Sequence, residues 1–233
     1  MKSLYINTMR GARSVAGTLG ILGALERSPS RNAQWLRSLF SIYDSADLAS
    51  LDVPWWTYGA IDEVESFLRN LDGRARVFEY GAGASTLWLA KRCASVASVE
   101  HDVGFSKSMK PLFDRHANIR LMVAPDEAST GKAGEARSLR HGYLDRAFDD
   151  YVASIDGVPG DFDLIVVDGR ARNACMRQAI PHLAPGGILL YDNSDRDEYR
   201  QAIDGCGLVE RILRGRAPAL PFGSQTSLLQ HRT

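Results

Sequence analysis

The sequence predicts an α/β protein: a doubly wound, mostly parallel sheet with an antiparallel last strand and an added helical N-terminus. Three observations predict it. β-Prone runs alternate with helical stretches from residue 75 to residue 192, the pattern of a parallel sheet covered on both faces. A glycine turn, VFEYGAGAST at residues 77–86, joins the first run to the helix after it. The tail holds two strand-like pieces, GLVERILRGRAPAL and QTSLLQH, joined only by PFGS. They lie too close for a helical crossover and so pair antiparallel.

Residues 1–50 read as helical. SVAGTLGILGALER predicts one helix and RNAQWLRSLFSIYDS a second, with Trp35, Leu36, Leu39, Phe40 and Tyr43 near helical spacing. These aromatics read as packing, against a sheet edge or in a homodimer contact through the N-terminal helices. Lys2, Arg10 and Arg13 flank the start of the apolar VAGTLGILGAL, with no acid before Glu26. That imitates a signal peptide in part, without a clear small-x-small cleavage site. An amphipathic helix packed on the domain is expected, and peripheral membrane association through this segment stays open. No apolar run reaches the roughly 18 residues of a transmembrane helix. The expected division is a helical extension over 1–53 and a ligand-binding domain over 54–233.

Pro54 disfavours helix at Val53. A helix follows over about residues 58–71, with Ile61, Val64, Phe67, Leu68 and Leu71 on one face. The PWWTY segment before it carries two tryptophans and a tyrosine. It either plugs the bottom of the domain or forms a lid over a ligand at the glycine turn.

The alternation then runs in order. ARVFEY is the first strand and STLWLAKRCA its crossover helix; SVASVE is the second strand, ending at Glu100. A helix covers about 105–116, and NIRLMVA is the third strand. The polar segment over 126–139 is expected to be a mobile loop on the ligand side of the sheet. GYLDRAFDDYVASI predicts a helix, and DFDLIVVDG is the fourth strand, almost continuously apolar as a strand buried on both faces should be. ARNACMRQAIPHLA is the next helix and GGILLYDN the fifth strand.

Composition narrows the function. Of 233 residues, 45% are hydrophobic and 24% charged, as in a soluble globular protein. Lys plus Arg and Asp plus Glu number 28 each, so net charge supplies no reason to expect a nucleic acid partner. Cys93, Cys175 and Cys206 form no CxxC pair, which suits a reducing compartment and a cytoplasmic location.

The glycine turn is the candidate ligand site. Gly81 and Gly83 let the backbone turn tightly, and Ser85 and Thr86 are placed to cap the following helix. Glu79 lies two residues before Gly81, and Glu100 ends the next strand. A carboxylate at that strand tip accepts hydrogen bonds from both ribose hydroxyls. Thr86 stands where GxGxxG needs its third glycine, so a pyrophosphate is disfavoured. An acid beside the turn repels phosphate and attracts a ligand carrying an amino group and a sulfonium.

With these residues in view, 54–230 resemble the class I S-adenosylmethionine-dependent methyltransferases. The similarity lies in VFEYGAGAST, SVEHD, DLIVVDG and the antiparallel strand QTSLLQH. It implies the seven-stranded Rossmann-like methyltransferase fold and S-adenosylmethionine as cofactor. By resemblance, Gly81, Ala82, Gly83, Ser85 and Thr86 form the cofactor turn. Glu79 lies near the methionine amino group, Glu100 binds the ribose, His101 packs on adenine, Asp126 meets the adenine amine and Asp168 borders the cofactor. Asp102 reads as a helix cap.

Two strand ends carry the candidate chemistry, VVDGRAR over 166–172 and LYDNSDR over 190–196. Asp168, Asp192 and Asn193 form a set that suits a hard cation such as Mg²⁺. The trio is similar to that of catechol-type, cation-dependent O-methyltransferases, where a metal holds the acceptor hydroxyls. Those enzymes carry a basic lysine three residues after the first Asp; here that residue is Ala171, flanked by Arg170 and Arg172. The alternatives are an arginine clamp for a substrate carboxylate or phosphate, or a capping turn whose arginines pair with Asp195 or Asp197. Asp168, Arg170 and Asp192 are the candidate catalytic residues. The expected activity is O-methylation of a small-molecule or glycan-type acceptor. A catalytically silent cofactor-binding partner protein stays open, as does a nucleotide-dependent oxidoreductase, which Thr86 disfavours.

Overall fold

In the computed structural model, which describes residues 11–41 and 44–232, seven strands form one sheet. They are β1 (Arg76–Tyr80), β2 (Ser95–Glu100), β3 (Ile119–Val123), β4 (Phe162–Val167), β5 (Leu183–Asp192), β6 (Val209–Arg216) and β7 (Gly223–Gln230). Their spatial order is β3-β2-β1-β4-β5-β7-β6. The first five run parallel; β7 is antiparallel to both of its neighbours. The strand order reverses next to β1, at the edge where such sheets hold ligands.

Alternation along the strands divides the core. Phe78 and Tyr80 of β1, with Ile165 and Val167 of β4, face one side. They pack on α7 (Asp149–Ala153), α8 (Arg172–Ala179) and α9 (Asp197–Asp204) through Tyr151, Cys175, Met176, Tyr199 and Ile203. Val77, Leu164 and Val166 face the other side. That side is covered by α4 (Tyr58–Asn70) and α5 (Ala84–Ala90), through Ile61, Val64, Leu68, Trp88 and Leu89. The α4 face is the one its spacing predicts. Cys175 is buried, and Tyr191 is buried with its hydroxyl donating to Asn173 Oδ1 at 2.7 Å. Both are packing residues.

The PWWTY segment divides between its two readings. Trp56 is fully buried and meets Trp88 edge-on, ring centroids 5.8 Å apart. Trp55 turns the other way and lines the cleft above the sheet.

Before Pro54 the structure departs from expectation. Residues 11–18 are helical, then Gly20, at φ 71, separates them from α1 (Ile21–Arg27). One continuous helix is therefore not formed, and Val15, Leu19 and Ile21 are exposed. In α2 (Arg31–Leu39) the buried residues are Arg37 and Ser38, while Leu36 is exposed. Trp35 packs on the core as expected, and a polar network surrounds it. Arg37 pairs with Asp47 at 3.0 Å and Glu26 at 2.6 Å. Trp35 Nε1 donates to Leu220 O at 2.9 Å, and Ala219 N donates to Ser38 Oγ at 2.9 Å. These bonds dock α2 on the β6–β7 connection. Tyr43 lies outside the described residues. In α3 (Ser45–Ser50) Leu48 is buried beside Val53, Ala84 and Ala219.

The helix expected over 142–155 shrinks to α7, because Arg146–Ala147 pairs antiparallel with Glu127–Ala128. The insertion expected as a loop thereby closes on itself. Glu135 accepts from Ser129 Oγ at 2.6 Å and Thr130 N at 2.8 Å. Among the described residues, no helix is long and apolar enough to cross a membrane.

Candidate active site

A cleft of about 640 Å³ lies over the carboxyl ends of β1, β2, β4 and β5. Its floor is the glycine turn. Gly81 has φ 100 and donates its N–H to Val99 O at 2.9 Å. A Cβ there would lie 2.8 Å from Gly169 Cα, so only glycine lets the β1 and β4 turns meet. Gly169 is squeezed in turn: its Cβ would fall 1.9 Å from the Tyr151 hydroxyl. Gly83 differs. It lines the cleft in extended backbone, and a Cβ there would meet no protein atom within 4 Å. No protein contact requires that glycine; the space it frees is on the cleft side.

Ala82 and Ser85 line the cleft, but Glu79 and Thr86 lie beneath the turn. Strand alternation explains this. Glu79 shares a face with Val77 and is the register partner of Ser98. Its carboxylate accepts from Ser85 Oγ, from Thr86 Oγ1 at 2.6 Å and from Ser98 Oγ at 2.6 Å. Thr86 Oγ1 also accepts from Gly83 N at 2.9 Å. Burial raises Glu79 to about 7, against the three hydroxyls that favour its charge. Glu79, expected beside a ligand amino group, braces the turn from below and is absent from the cleft lining.

Glu100 ends β2 and lines the cleft. Its Oε1 accepts from His101 N at 2.9 Å and Asp102 N at 2.8 Å. Among the described residues, both hydrogen bonds to the Glu100 carboxylate go to Oε1, which leaves Oε2 for a ligand. His101 Nδ1 approaches Oε1 to 2.7 Å without hydrogen-bond alignment. The His101 ring is buried against Tyr143, Phe148 and Tyr151 and lines the cleft. Asp102 caps α6 (Val103–Phe113), accepting from Phe105 N at 2.8 Å. Asp126 is not in the cleft; its carboxylate pairs with Arg146, and Arg146 Nη2 donates to its carbonyl at 2.8 Å. The carboxylate expected at the adenine amine is thus engaged by Arg146.

Asp168, Asp192 and Asn193 converge as expected, but around Arg172. This guanidinium is 4% exposed. Its Nη2 donates to Asp168 Oδ1 at 2.7 Å and Asp168 O at 2.9 Å, and its Nε to Gly169 O at 3.1 Å. Its Nη1 donates to Asp192 O and lies 4.0 Å from Asp192 Oδ2. Asn193 Oδ1 accepts from Arg196 Nη2 at 2.7 Å. Among the described residues, no group of three His, Cys, Asp or Glu side chains is placed to hold a metal. A buried cation of the chain, Arg172, stands between the two carboxylates, where a hard cation such as Mg²⁺ was expected. The arginines also do not pair with Asp195 or Asp197.

Electrostatics at this point are sharp. Burial, then the Asp168 charge, pushes Asp192 up to about 7, while Arg172 and the Thr226 hydroxyl pull it down. Thr226, its register partner on β7, donates to Asp192 Oδ1 at 2.7 Å. Burial alone would lower Arg172, but the Asp168 and Asp192 charges override it and hold it firmly protonated. Arg170 stacks over Tyr143, its Cζ 4.6 Å from the ring centroid.

Arg140, Tyr143, Arg196, Leu220 and Phe222 also line the cleft, and sequence reasoning assigned them no role. They sit in connections without hydrophobic period, so only their placement after the third strand and before the last one hinted at them.

No family model matches the chain, and no curated protein matches it. Solved structures do. An rRNA methylase from Streptococcus thermophilus is 14% identical, over 74% of this chain and 96% of that one, with a TM-score of 0.50. A methyltransferase-like protein from Silicibacter pomeroyi is 20% identical, over 73% and 86%, with a TM-score of 0.49. At such identities the likeness to the methylase speaks for the fold, which is the Rossmann-like methyltransferase fold.

Proposed function

We propose that the chain is an S-adenosylmethionine-dependent methyltransferase acting on an oxygen of a small-molecule or glycan-type acceptor. The observation that carries the reading is one cleft joining Gly83, the free side of Glu100 and the Asp168–Arg172–Asp192 cluster. Gly81 to Ser85 and Glu100 would hold the cofactor, with His101 beside it. When bound, that cofactor supplies an electrophilic methyl on a sulfonium. Asp192 is the proposed proton acceptor for the acceptor hydroxyl, through Oδ2, because its pKa stands near neutral pH, where a general base works best. Arg172 and Asp168 orient it. Positioning and exclusion of water supply most of the remaining rate. Residues 54–233 are read as the catalytic unit and 1–53 as the extension that closes one wall of the cleft through Ser45.

One observation favours a second reading. Ala171, where catechol-type O-methyltransferases carry a basic lysine, is buried at φ 47. A silent cofactor-binding protein would share the cleft and transfer no methyl to any acceptor. Calorimetry with S-adenosylhomocysteine and NAD tests both against an oxidoreductase. Binding of S-adenosylhomocysteine is expected, weakened by about 1–3 kcal/mol in Glu100→Ala. Binding of NAD alone would overturn the reading, and unchanged affinity in the variant would remove Glu100 from the site.

A further inference from the structure

Beside the Asp168–Arg172 cluster the cleft holds three more arginines, Arg140, Arg170 and Arg196. All three are half-buried. Elsewhere, arginines withdrawn from water hold a partner. Arg13 and Arg37 pair with Asp47, Arg92 with Asp52, Arg146 with Asp126 and Arg200 with Glu210. Arg76 donates to the carbonyl of Asp161 at 3.0 Å. Among the described residues, none of the three cleft arginines has a carboxylate partner. Arg196 donates to the amide oxygen of Asn193, and its Cζ lies 5.8 Å from the centroid of the Tyr199 ring. Arg170 lies on the face of Tyr143, and its buried Nε has no hydrogen-bond partner at all. The guanidinium of Arg140 is withdrawn from water and repelled by Arg170, Arg196 and Arg172, which lowers its pKa. Asp195 also lines the cleft but is exposed and pairs with none of them.

Half-buried guanidinium groups facing one another without an anion are unfavourable in the chain alone. An oxyanion relieves both terms, since a planar guanidinium binds carboxylate or phosphate through paired N–H donors. Taking the methyltransferase reading as its basis, we propose that the methyl acceptor carries a carboxylate or phosphate held by Arg140, Arg170 and Arg196. The acceptor is a small molecule. The three arginines sit inside a cleft walled by Trp55, Leu220 and Phe222, and the chain as a whole has formal net charge 0, without the overall basic excess that favours non-specific binding to nucleic acid.

The test is calorimetry on the full chain saturated with S-adenosylhomocysteine, with inorganic pyrophosphate and malonate as probes. Saturable binding of at least one is expected, and the tighter of the two assigns phosphate or carboxylate. Arg170→Gln and Arg140→Gln should each weaken it about tenfold or more, with S-adenosylhomocysteine affinity kept within about twofold. Arg177→Gln, an exposed arginine on α8, should leave it unchanged. No saturable binding of either probe by a chain that binds S-adenosylhomocysteine overturns this inference alone. Equal weakening by Arg177→Gln also overturns it, since the probes would then be reading net charge. An RNA hairpin that binds more tightly than both probes and depends on Arg140 and Arg170 would replace the small molecule by a nucleic acid. Failure of S-adenosylhomocysteine to bind at all would remove the methyltransferase reading and, with it, the assignment of the anion to an acceptor.

Discussion

Arg172 donates from Nη2 to Asp168 Oδ1 at 2.7 Å, and its other terminal nitrogen stands 4.0 Å from Asp192 Oδ2. A side chain of the helix after β4 thereby ties the ends of two parallel strands together. It also places a fixed positive charge where a divalent cation was expected.

Arg172→Met should therefore leave the buried Asp192 and the part-buried Asp168 without their counter-charge. Removing one partner of a buried pair costs about 3–5 kcal/mol. Urea unfolding monitored by tryptophan fluorescence checks this. Arg172→Lys should recover only part of the loss, because an ammonium cannot reproduce the forked donors. A midpoint unchanged in Arg172→Met would mean that the bridge carries no weight.

The pH dependence of kcat/KM follows from Asp192. Burial and Asp168 set its pKa at about 7, and a general base acts only when deprotonated. Activity should rise through pH about 7 and then level. Thr226→Val removes the hydroxyl that favours the charged form, so the rising limb should move to higher pH. Asp192→Asn should abolish the limb together with most of the rate, by a factor of about 10²–10⁴ for a lost general base. A limb that stays in place in Thr226→Val would assign the titration to another group.

Glu79 makes a separate prediction for stability. Its pKa is raised by burial to about 7 in the folded chain, from an ordinary 4.5. The folded state then binds a proton that the unfolded state has released. The resulting stability is fully present below about pH 4.5 and is lost as pH rises through about 7, at up to about 1.4 kcal/mol per pH unit. Asp192 acts in the same direction. Urea unfolding at intervals between pH 5 and 8 should show falling stability, with a shallower slope in Glu79→Gln. Parallel slopes for the two proteins would mean that Glu79 keeps an ordinary pKa.

The two tryptophans of PWWTY separate folding from binding. Trp56 is fully buried against Trp88, so Trp56→Ala should cost about 3–5 kcal/mol. Trp55 is half-buried, packs beside Leu48 and Val53 and lines the cleft, so Trp55→Ala should cost less stability than Trp56→Ala and weaken ligand binding. Equal destabilisation by the two changes would refute this division of roles.

Much of the fold was legible from local pattern. Apolar runs of strand length, the turn around Gly81 and the short tail connection define the sheet and its antiparallel end, because strand propensity and chain length leave few other topologies. The strand-tip positions of Glu100, Asp168 and Asp192 were legible for the same reason. Before Pro54 the pattern misled. Helical spacing cannot reveal that Arg37 is buried by a carboxylate network while Leu36 stays outside.

The sequence by itself determined the order of elements and the edge of the sheet at which a ligand would sit, since both follow from periodicity along the chain. Only the tertiary structure decided what the charged residues at that edge do. Glu79 turned beneath the loop because strand register pairs it with Ser98. Asp168 and Asp192, 24 residues apart in sequence, became partners of one arginine, while among the described residues Arg140, Arg170 and Arg196 were left without a carboxylate partner. Charge pairing depends on distance and burial in three dimensions, and neither is encoded by spacing along one strand or helix.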